Sequence, residues 1–374
     1  MNRTWLLLHR WTGLGLGLFL AIQGLLGAWL VVAEPLDEWL HPELLQSDPR
    51  PGAEPLGLAE AHAAVNAAYP DRPLWLLVQP EGASGVYRAV LEGRHGPRVY
   101  VDPYSGEVSE QRAAFATLEA PVRVLHTGEI GGAALETVVG VLAVVLLALA
   151  ITGLVVWWPG RGRLRQALGF STASLADLAR DGHRWAGLVG LPFLGLIAAT
   201  GIYLVFHHAV QDAVFAVTGE EEAEPVPLAA DAGPMPAGAV GDMVDAARAA
   251  VPGAAITFLV FPTEPGESVR ARLRYPDEWH PNGNSEVQLH PRGARVLGTY
   301  DHRAAGPGEY AMDHLYPLHI GTYGGTAART AHFVAGLLPA LFFATGLYLW
   351  WRRRRARARR RRPAKGAGAQ EGRG

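Results

Sequence analysis

The chain has no cysteine, and that single absence removes whole classes of chemistry. Disulfides, thiolate metal sites, iron–sulfur clusters and thioether-linked haem are all excluded. Any redox cofactor must be held without a covalent link, which leaves histidine as the natural ligand. A dinucleotide fingerprint is missing too. The glycines between Gly13 and Gly17 lie inside an apolar run with no strand before them, so they do not cradle a phosphate. The polar loops offer no nucleophile–base pairing of the kind hydrolases use. Charge of one sign is not in excess either, since the formal net charge is −2.

Long apolar runs are abundant. Crossing a bilayer takes about 20 apolar residues, and four stretches reach that length: 9–33, 134–158, 184–209 and 331–351. The first is too long in its apolar core for a cleaved leader, and three more follow it, so it reads as an anchor. Positive residues mark the cytoplasmic ends of spans. Arg3 and Arg10 precede the first span, while Glu34, Asp37 and Glu38 follow it. Arg161, Arg163, Arg165 and Arg180 fill the 159–183 loop, and Arg352 to Arg355, Arg357 and Arg359 to Arg362 follow the fourth span. Both termini and the short loop are therefore expected inside, with the long loops outside. Directly after a span the basic tail reads as a topology anchor in contact with membrane lipid, and no nucleic-acid role is expected.

Internal repetition organises the rest. His9-Arg10-Trp11-Thr12-Gly13-Leu14 returns as His183-Arg184-Trp185-Ala186-Gly187-Leu188. At the same offset Gly27 falls on Gly201 and Trp29 on Tyr203. A second motif, His126-Thr127-Gly128-Glu129-Ile130-Gly131-Gly132, is echoed by His319-Ile320-Gly321-Thr322-Tyr323-Gly324-Gly325. At that motif's own offset Thr152-Gly153-Leu154 falls on Thr345-Gly346-Leu347. The expected fold is a membrane α-helical four-helix bundle built from two tandem two-helix repeats, with two outer α+β domains.

The first outer domain (34–133) is expected to hold a linker at 49–55 and a helix over 56–69. Strands follow at 74–78, 86–91 and 99–101, and Asp102-Pro103-Tyr104-Ser105-Gly106 makes the closing turn. The second (210–330) begins with a linker at 219–240. A helix is expected over 241–250, with strands at 256–261, 269–275 and 286–289. His290-Pro291-Arg292-Gly293 takes the place of the first closing turn. These modules read as lids or binding scaffolds.

With both helix pairs running the same way, equivalent residues share a depth. His9 and His183 are then level near the cytoplasmic face, and His126 and His319 are level at the outer face. At about 1.5 Å per residue the two levels lie about 35 Å apart. Two imidazole pairs in a bundle are what two bis-histidine haems would need. Gly13, Gly15, Gly17, Gly187 and Gly190 would leave room for a flat ring, and Arg10 and Arg184 would meet propionate carboxylates. A lone helix-end histidine is usually a cap or an interfacial residue. Duplicated ones at membrane depth point to function. His332, His207 and His208 stand as alternates for the outer ligands. The other histidines, His41, His62, His95, His280, His290, His302 and His314, are expected at the surface. Trp157, Trp158, Trp350 and Trp351 read as an interfacial aromatic belt.

These repeats resemble the PepSY-associated transmembrane family of bacterial inner-membrane proteins. The residues that carry the resemblance are the two His-Arg-Trp-x-Gly-Leu openings and the Leu125-His126 and Leu318-His319 segments with their trailing glycines. Val99-Tyr100-Val101-Asp102-Pro103-Tyr104-Ser105-Gly106 is similar to the PepSY signature. The resemblance implies periplasmic PepSY domains, histidine-ligated haem b (one or two groups) and a part in iron acquisition, with some members looking like ferric-siderophore reductases. Some relatives carry a fused flavin reductase, which is not expected among these residues, so the electron donor stays open between a quinol, a cytoplasmic flavoprotein and another reductant. The leading expectation is a transmembrane electron conduit from a pair at His9/His183 to one at His126/His319, reducing a ferric chelate docked outside. Tyr310, Tyr316 and Tyr323 would line the docking surface. The alternative is a non-enzymatic regulatory protein with structural histidines. A permease is disfavoured because no charged path crosses the spans.

Overall fold

A computed structural model describes residues 3–50, 52–158, 168–221, 235–236 and 238–360. The arginines expected to mark the short loop at 161, 163 and 165, most of the 219–240 linker, and the tail from 361 onward lie outside the described residues. Four helices are long and apolar enough to cross a membrane. They are α1 (Arg3–Leu40), α5 (Gly132–Trp157), α6 (Leu175–Val205) and α11 (Gly325–Arg360). The helix ends extend past the apolar runs. α1 continues through Pro35 to Leu40, and α11 continues through the arginines after Trp351.

Between these come α2 (Pro42–Leu45), α3 (Leu58–Ala68), α4 (Ala120–Thr127), α7 (His207–Thr218), α8 (Ala239–Ala250), α9 (Pro307–Asp313) and α10 (Leu315–Ile320). The strands are β1 (Leu74–Val78), β2 (Tyr87–Leu91), β3 (Arg98–Val101), β4 (Ala255–Val260), β5 (Val269–Arg274), β6 (Ser285–Leu289) and β7 (Val296–Tyr300). The residues divide into two compact units. One comprises Met1–Ala28, Gly140–Ala199 and Phe333–Gly374, and the other Trp29–Val139 and Thr200–His332.

In the first unit the helices meet through small residues. Gly24 of α1 packs on the Gly336 backbone of α11, and a Cβ at Gly336 would sit 2.8 Å from Gly24 O and 2.9 Å from Ala28 Cβ. Without a hydrophobic driving force between helices in lipid, such close backbone approach supplies the packing. A Cβ at Gly17 would lie 2.7 Å from Phe343, and one at Gly190 would collide with Leu338. Those two glycines seat neighbouring side chains, so the space expected there for a flat ring is already filled.

In the second unit the strands expected for the two outer domains come together. The strands of both halves form one seven-stranded sheet in the order β3-β2-β1-β4-β5-β6-β7. β1 and β4 pair antiparallel at the seam, Leu76 with Val260, Leu77 with Leu259 and Val78 with Phe258. The physical reason is edge satisfaction. A short sheet from either half would leave a row of unpaired N–H and C=O groups, and the two rows satisfy each other. α3 and α8 share one core over this sheet, where Val65, Met243, Leu77, Leu259 and Leu273 are fully buried. The seventh strand, β7, was not expected. It is an edge strand interrupted by Gly298, and none of its five residues is buried, so no alternation of core-facing and solvent-facing side chains marks it in the sequence.

The closing turns obey one rule despite their different letters. Asp102 Oδ1 accepts the backbone N–H groups of Tyr104 and Ser105, each at 2.8 Å. His290 Nδ1 accepts from Arg292 N at 3.2 Å. His280-Pro281-Asn282-Gly283 repeats the device, with Nδ1 accepting from Asn282 N at 3.1 Å. A neutral imidazole here performs the task of an Asx side chain.

Candidate functional site

Glycine chemistry positions one histidine pair. His126 lies near the end of α4, which Gly128 closes in the left-handed region at φ 85°. A 3-10 turn follows (Glu129–Gly131), and Gly132, at φ 60°, opens α5. The second half reproduces the corner. His319 lies near the end of α10, closed by Gly321 at φ 79°, and Gly325 at φ 57° opens α11. The trailing glycines of the motif are therefore backbone requirements. The two corners bring the His126 and His319 rings to 6.4 Å between centroids, with their planes 41° apart. His319 Nδ1 lies 3.0 Å from Thr200 Oγ1.

His9 of α1 and His183 of α6 form the other pair, 6.3 Å between centroids with planes crossed at 84°. Each ring is held by a threonine from another helix. His9 Nδ1 is 3.1 Å from Thr152 Oγ1, and His183 Nδ1 is 2.8 Å from Thr345 Oγ1. The two threonines are repeat equivalents, as are the two histidines. Gly13 and Gly187 follow their histidines by four residues, so each lies on the same helix face one turn on. A Cβ at Gly187 would meet nothing within 4 Å, and one at Gly13 would meet only Leu149 at 3.9 Å.

Simple geometry says what such a pair could hold. Imidazole nitrogen binds a first-row metal at about 2.0–2.1 Å. With ring bonds of about 1.33 Å, the centroid sits about 1.1 Å behind that nitrogen. Two rings on opposite sides of one metal thus have centroids about 6.3 Å apart, which both pairs match. Among the described residues no group of three or more His, Cys, Asp or Glu side chains gathers as a metal site.

The remaining expected residues are placed as follows. Arg184 bonds the Gly169 carbonyl and lies 3.3 Å from Asp181. Arg10 keeps a buried Nε with no hydrogen-bond partner, as do Trp157 and Trp185 at their indole nitrogens. His332 is buried, with Nδ1 2.9 Å from Ala328 O and Nε2 2.9 Å from Leu318 O. Its ring fixes the backbone next to His319. His207 and His208 lie side by side, centroids 4.0 Å apart and planes tilted by 41°, at the exposed start of α7. Trp158 and Trp351 are exposed as belt residues should be, with Arg355 lying 3.7 Å over the Trp351 ring.

A family model described as the PepSY-associated TM region matches residues 6–353. The chain belongs to the PepSY-associated transmembrane family. The match takes in both histidine pairs and the whole sheet. No curated protein matches the chain. Membership of the PepSY-associated family, with four spanning helices, makes this a multi-pass membrane protein.

Two features of this family member were not expected from sequence. One is the orienting threonine set, Thr152, Thr345 and Thr200. The first two were visible as repeated letters, but nothing tied them to histidines more than a hundred residues away. The other is an aromatic cluster around α9 and α10. His302 Nδ1 bonds Asp313 at 2.6 Å, and Tyr300 OH donates to the same oxygen at 2.8 Å. The Tyr310 ring stacks on His302, and His314 lies between Tyr310 and Trp279. Burial and the Asp313 charge push the Tyr300 hydroxyl far above its ordinary value. Three loop histidines expected at the surface, His280, His290 and His302, are instead buried. Burial, reinforced by the Arg272 and Arg274 charges, lowers His280 to about 4. His95 is exposed, and His41, His62 and His314 are half-buried.

Proposed function

We propose that this PepSY-associated protein is a transmembrane electron conduit that holds two b-type haems and reduces a ferric chelate, such as a siderophore, at the outer face of a bacterial inner membrane. The observation that carries the reading is the spacing of the two pairs, 6.3 and 6.4 Å, against the about 6.3 Å that two imidazoles on one iron require. Among the described residues each pair offers two imidazoles and no third His, Cys, Asp or Glu, a donor set that would suit haem iron.

A second observation favours haem at the His9–His183 pair. Buried N–H groups without acceptors are rare and cost about 1–3 kcal/mol each. Arg10, Trp157 and Trp185 bear three such donors, close in sequence to His9, Thr152 and His183. Propionate carboxylates would supply the acceptors, and Arg10 would pair with one by charge as well. Arg184, already tied to Asp181 and Gly169 O, would serve a propionate only through its remaining donors.

Bound there, haem supplies one-electron transfer at a potential the protein tunes. His9, His183, His126 and His319 fix its position, and the threonines fix the ligand nitrogens. The exposed rings of Trp279, Tyr310 and Tyr316, the first two packed against His314 just before α10, would dock the chelate. The arginines after span four favour cytoplasmic termini, so a quinol or a cytoplasmic flavoprotein would deliver electrons at the His9–His183 end.

A reduced-minus-oxidised visible spectrum of purified protein from haem-supplied cells tests the proposal. Sharp b-type bands are expected at two haems per chain. His9→Ala and His126→Ala should each remove about half, and their combination all of it. A featureless wild-type spectrum would overturn the conduit and favour a regulatory role for the sheet.

A further inference from the structure

We propose that Thr152 and Thr345 are positioning residues that lock His9 and His183 in one tautomer with crossed ring planes, and so set the redox character of that site. The inference rests on the haem reading above. Its argument starts from one hydrogen. A threonine hydroxyl has a single O–H to donate. Thr152 Oγ1 donates it to Ala148 O at 2.7 Å, and Thr345 Oγ1 donates to Leu341 O at 2.7 Å. Toward the histidines each oxygen can then only accept. Nδ1 of both rings must therefore carry the proton, which leaves the Nε2 lone pair for a metal. This is the arrangement in which a ligating histidine gives its other N–H to an outer acceptor, raising its basicity and fixing its plane.

The surroundings hold the rings as well. A Cβ at Gly153 would come within 3.2 Å of His9 Cε1, so the residue beside Thr152 backs the ring closely. The Phe342 ring lies 4.9 Å from His183. The two threonines anchor their rings from different helices, α5 and α11, and the planes end 84° apart. At the other pair Thr200 meets His319 from α6, and the planes are 41° apart. Crossed imidazoles overlap different iron d orbitals and leave the ferric low-spin ion nearly axial. Tilting them toward parallel gives a rhombic ion. The two sites should therefore be spectroscopically distinct.

The experiment is electron paramagnetic resonance and a redox titration on the purified full chain, with Thr152→Val, Thr345→Val and the matching Ser variants. Wild type should show one strongly anisotropic low-spin signal and one rhombic signal. In each Val variant the anisotropic signal should collapse toward rhombic. One of the two redox steps should move positive, because an imidazole without its acceptor donates less charge to ferric iron. The other signal and step should stay in place, and Ser should restore wild-type behaviour. Loss of half the haem in a Val variant, restored by Ser, supports the same role. Val variants with full haem and unchanged signals and potentials would overturn the positioning role alone, as would Ser variants that match Val. A wild type without haem bands would instead overturn the reading beneath it.

Discussion

Thr152 and Thr345 look like any β-branched residue in a membrane helix until the hydrogen of each hydroxyl is followed to a carbonyl. The same bookkeeping makes His280 testable. Its Nδ1 accepts from Asn282 N, so the ring works in the fold as a neutral acceptor, and its folded pKa of about 4 lies below the ordinary 6.5. Between those values the unfolded chain binds the proton and the folded chain does not. Stability is therefore full above about pH 6.5 and falls as the pH drops toward 4, by up to about 3 kcal/mol. His280→Asn keeps an acceptor for the turn and removes the titration. In detergent-purified protein, chemical denaturation followed from pH 7 to 4.5 should show a shallower loss in that variant than in wild type. Equal slopes would mean another group carries the acid dependence. Asp102 makes the complementary case. Burial raises its carboxyl, but the bonds from Ser47, Ser105 and Tyr104 outweigh that and leave it below its ordinary value. Its contribution is present at neutral pH and disappears as pH falls through that lowered value. Asp102→Ala should cost about 1–2 kcal/mol at pH 7 and progressively less in acid.

At the level of elements, the histidine corners were legible because their glycines repeat. Gly128 and Gly321 take positive φ, as do Gly132 and Gly325, and no other residue type turns so sharply without strain. The spans were legible from apolar length, and the bracketing strands from turn residues. The seam between β1 and β4 was not. Leu77 and Leu259 are paired across the fold but lie far apart in sequence, and an edge strand has the same local pattern whether or not a partner covers it. Nor could the run of helix-borne glycines be sorted by sequence. Gly24 and Gly336 meet backbone, whereas Gly15 and Gly346 have nothing within 4 Å. Gly336→Val should therefore force α1 and α11 apart, with a cost of about 1–3 kcal/mol for overpacking. Gly346→Val should be nearly silent. Thermal unfolding followed by tryptophan fluorescence separates the two, and equal melting temperatures would show that the helix crossing tolerates a side chain.

For the molecule as a whole, the repeat divides the labour in a way neither half can perform alone. Residues up to the short loop contain His9 and His126, and residues beyond it contain His183 and His319. Each observed pair takes one ring from each half, and each ring of the His9–His183 pair is oriented by a threonine of its own half, His9 by Thr152 and His183 by Thr345. The sheet is divided likewise, since β1 finds its second neighbour only in β4. A half-chain would thus hold single histidines and an open sheet edge. If the chain is cut between residues 158 and 168, each fragment expressed alone should show no six-coordinate b-type spectrum. Co-expressed fragments should recover both haems, because the pairs and the seam re-form together. Haem bound by one fragment alone in six-coordinate form would mean that two histidines of the same half, or two copies of one half, complete a site, and the cross-half pairing would then be the wrong account of the duplication.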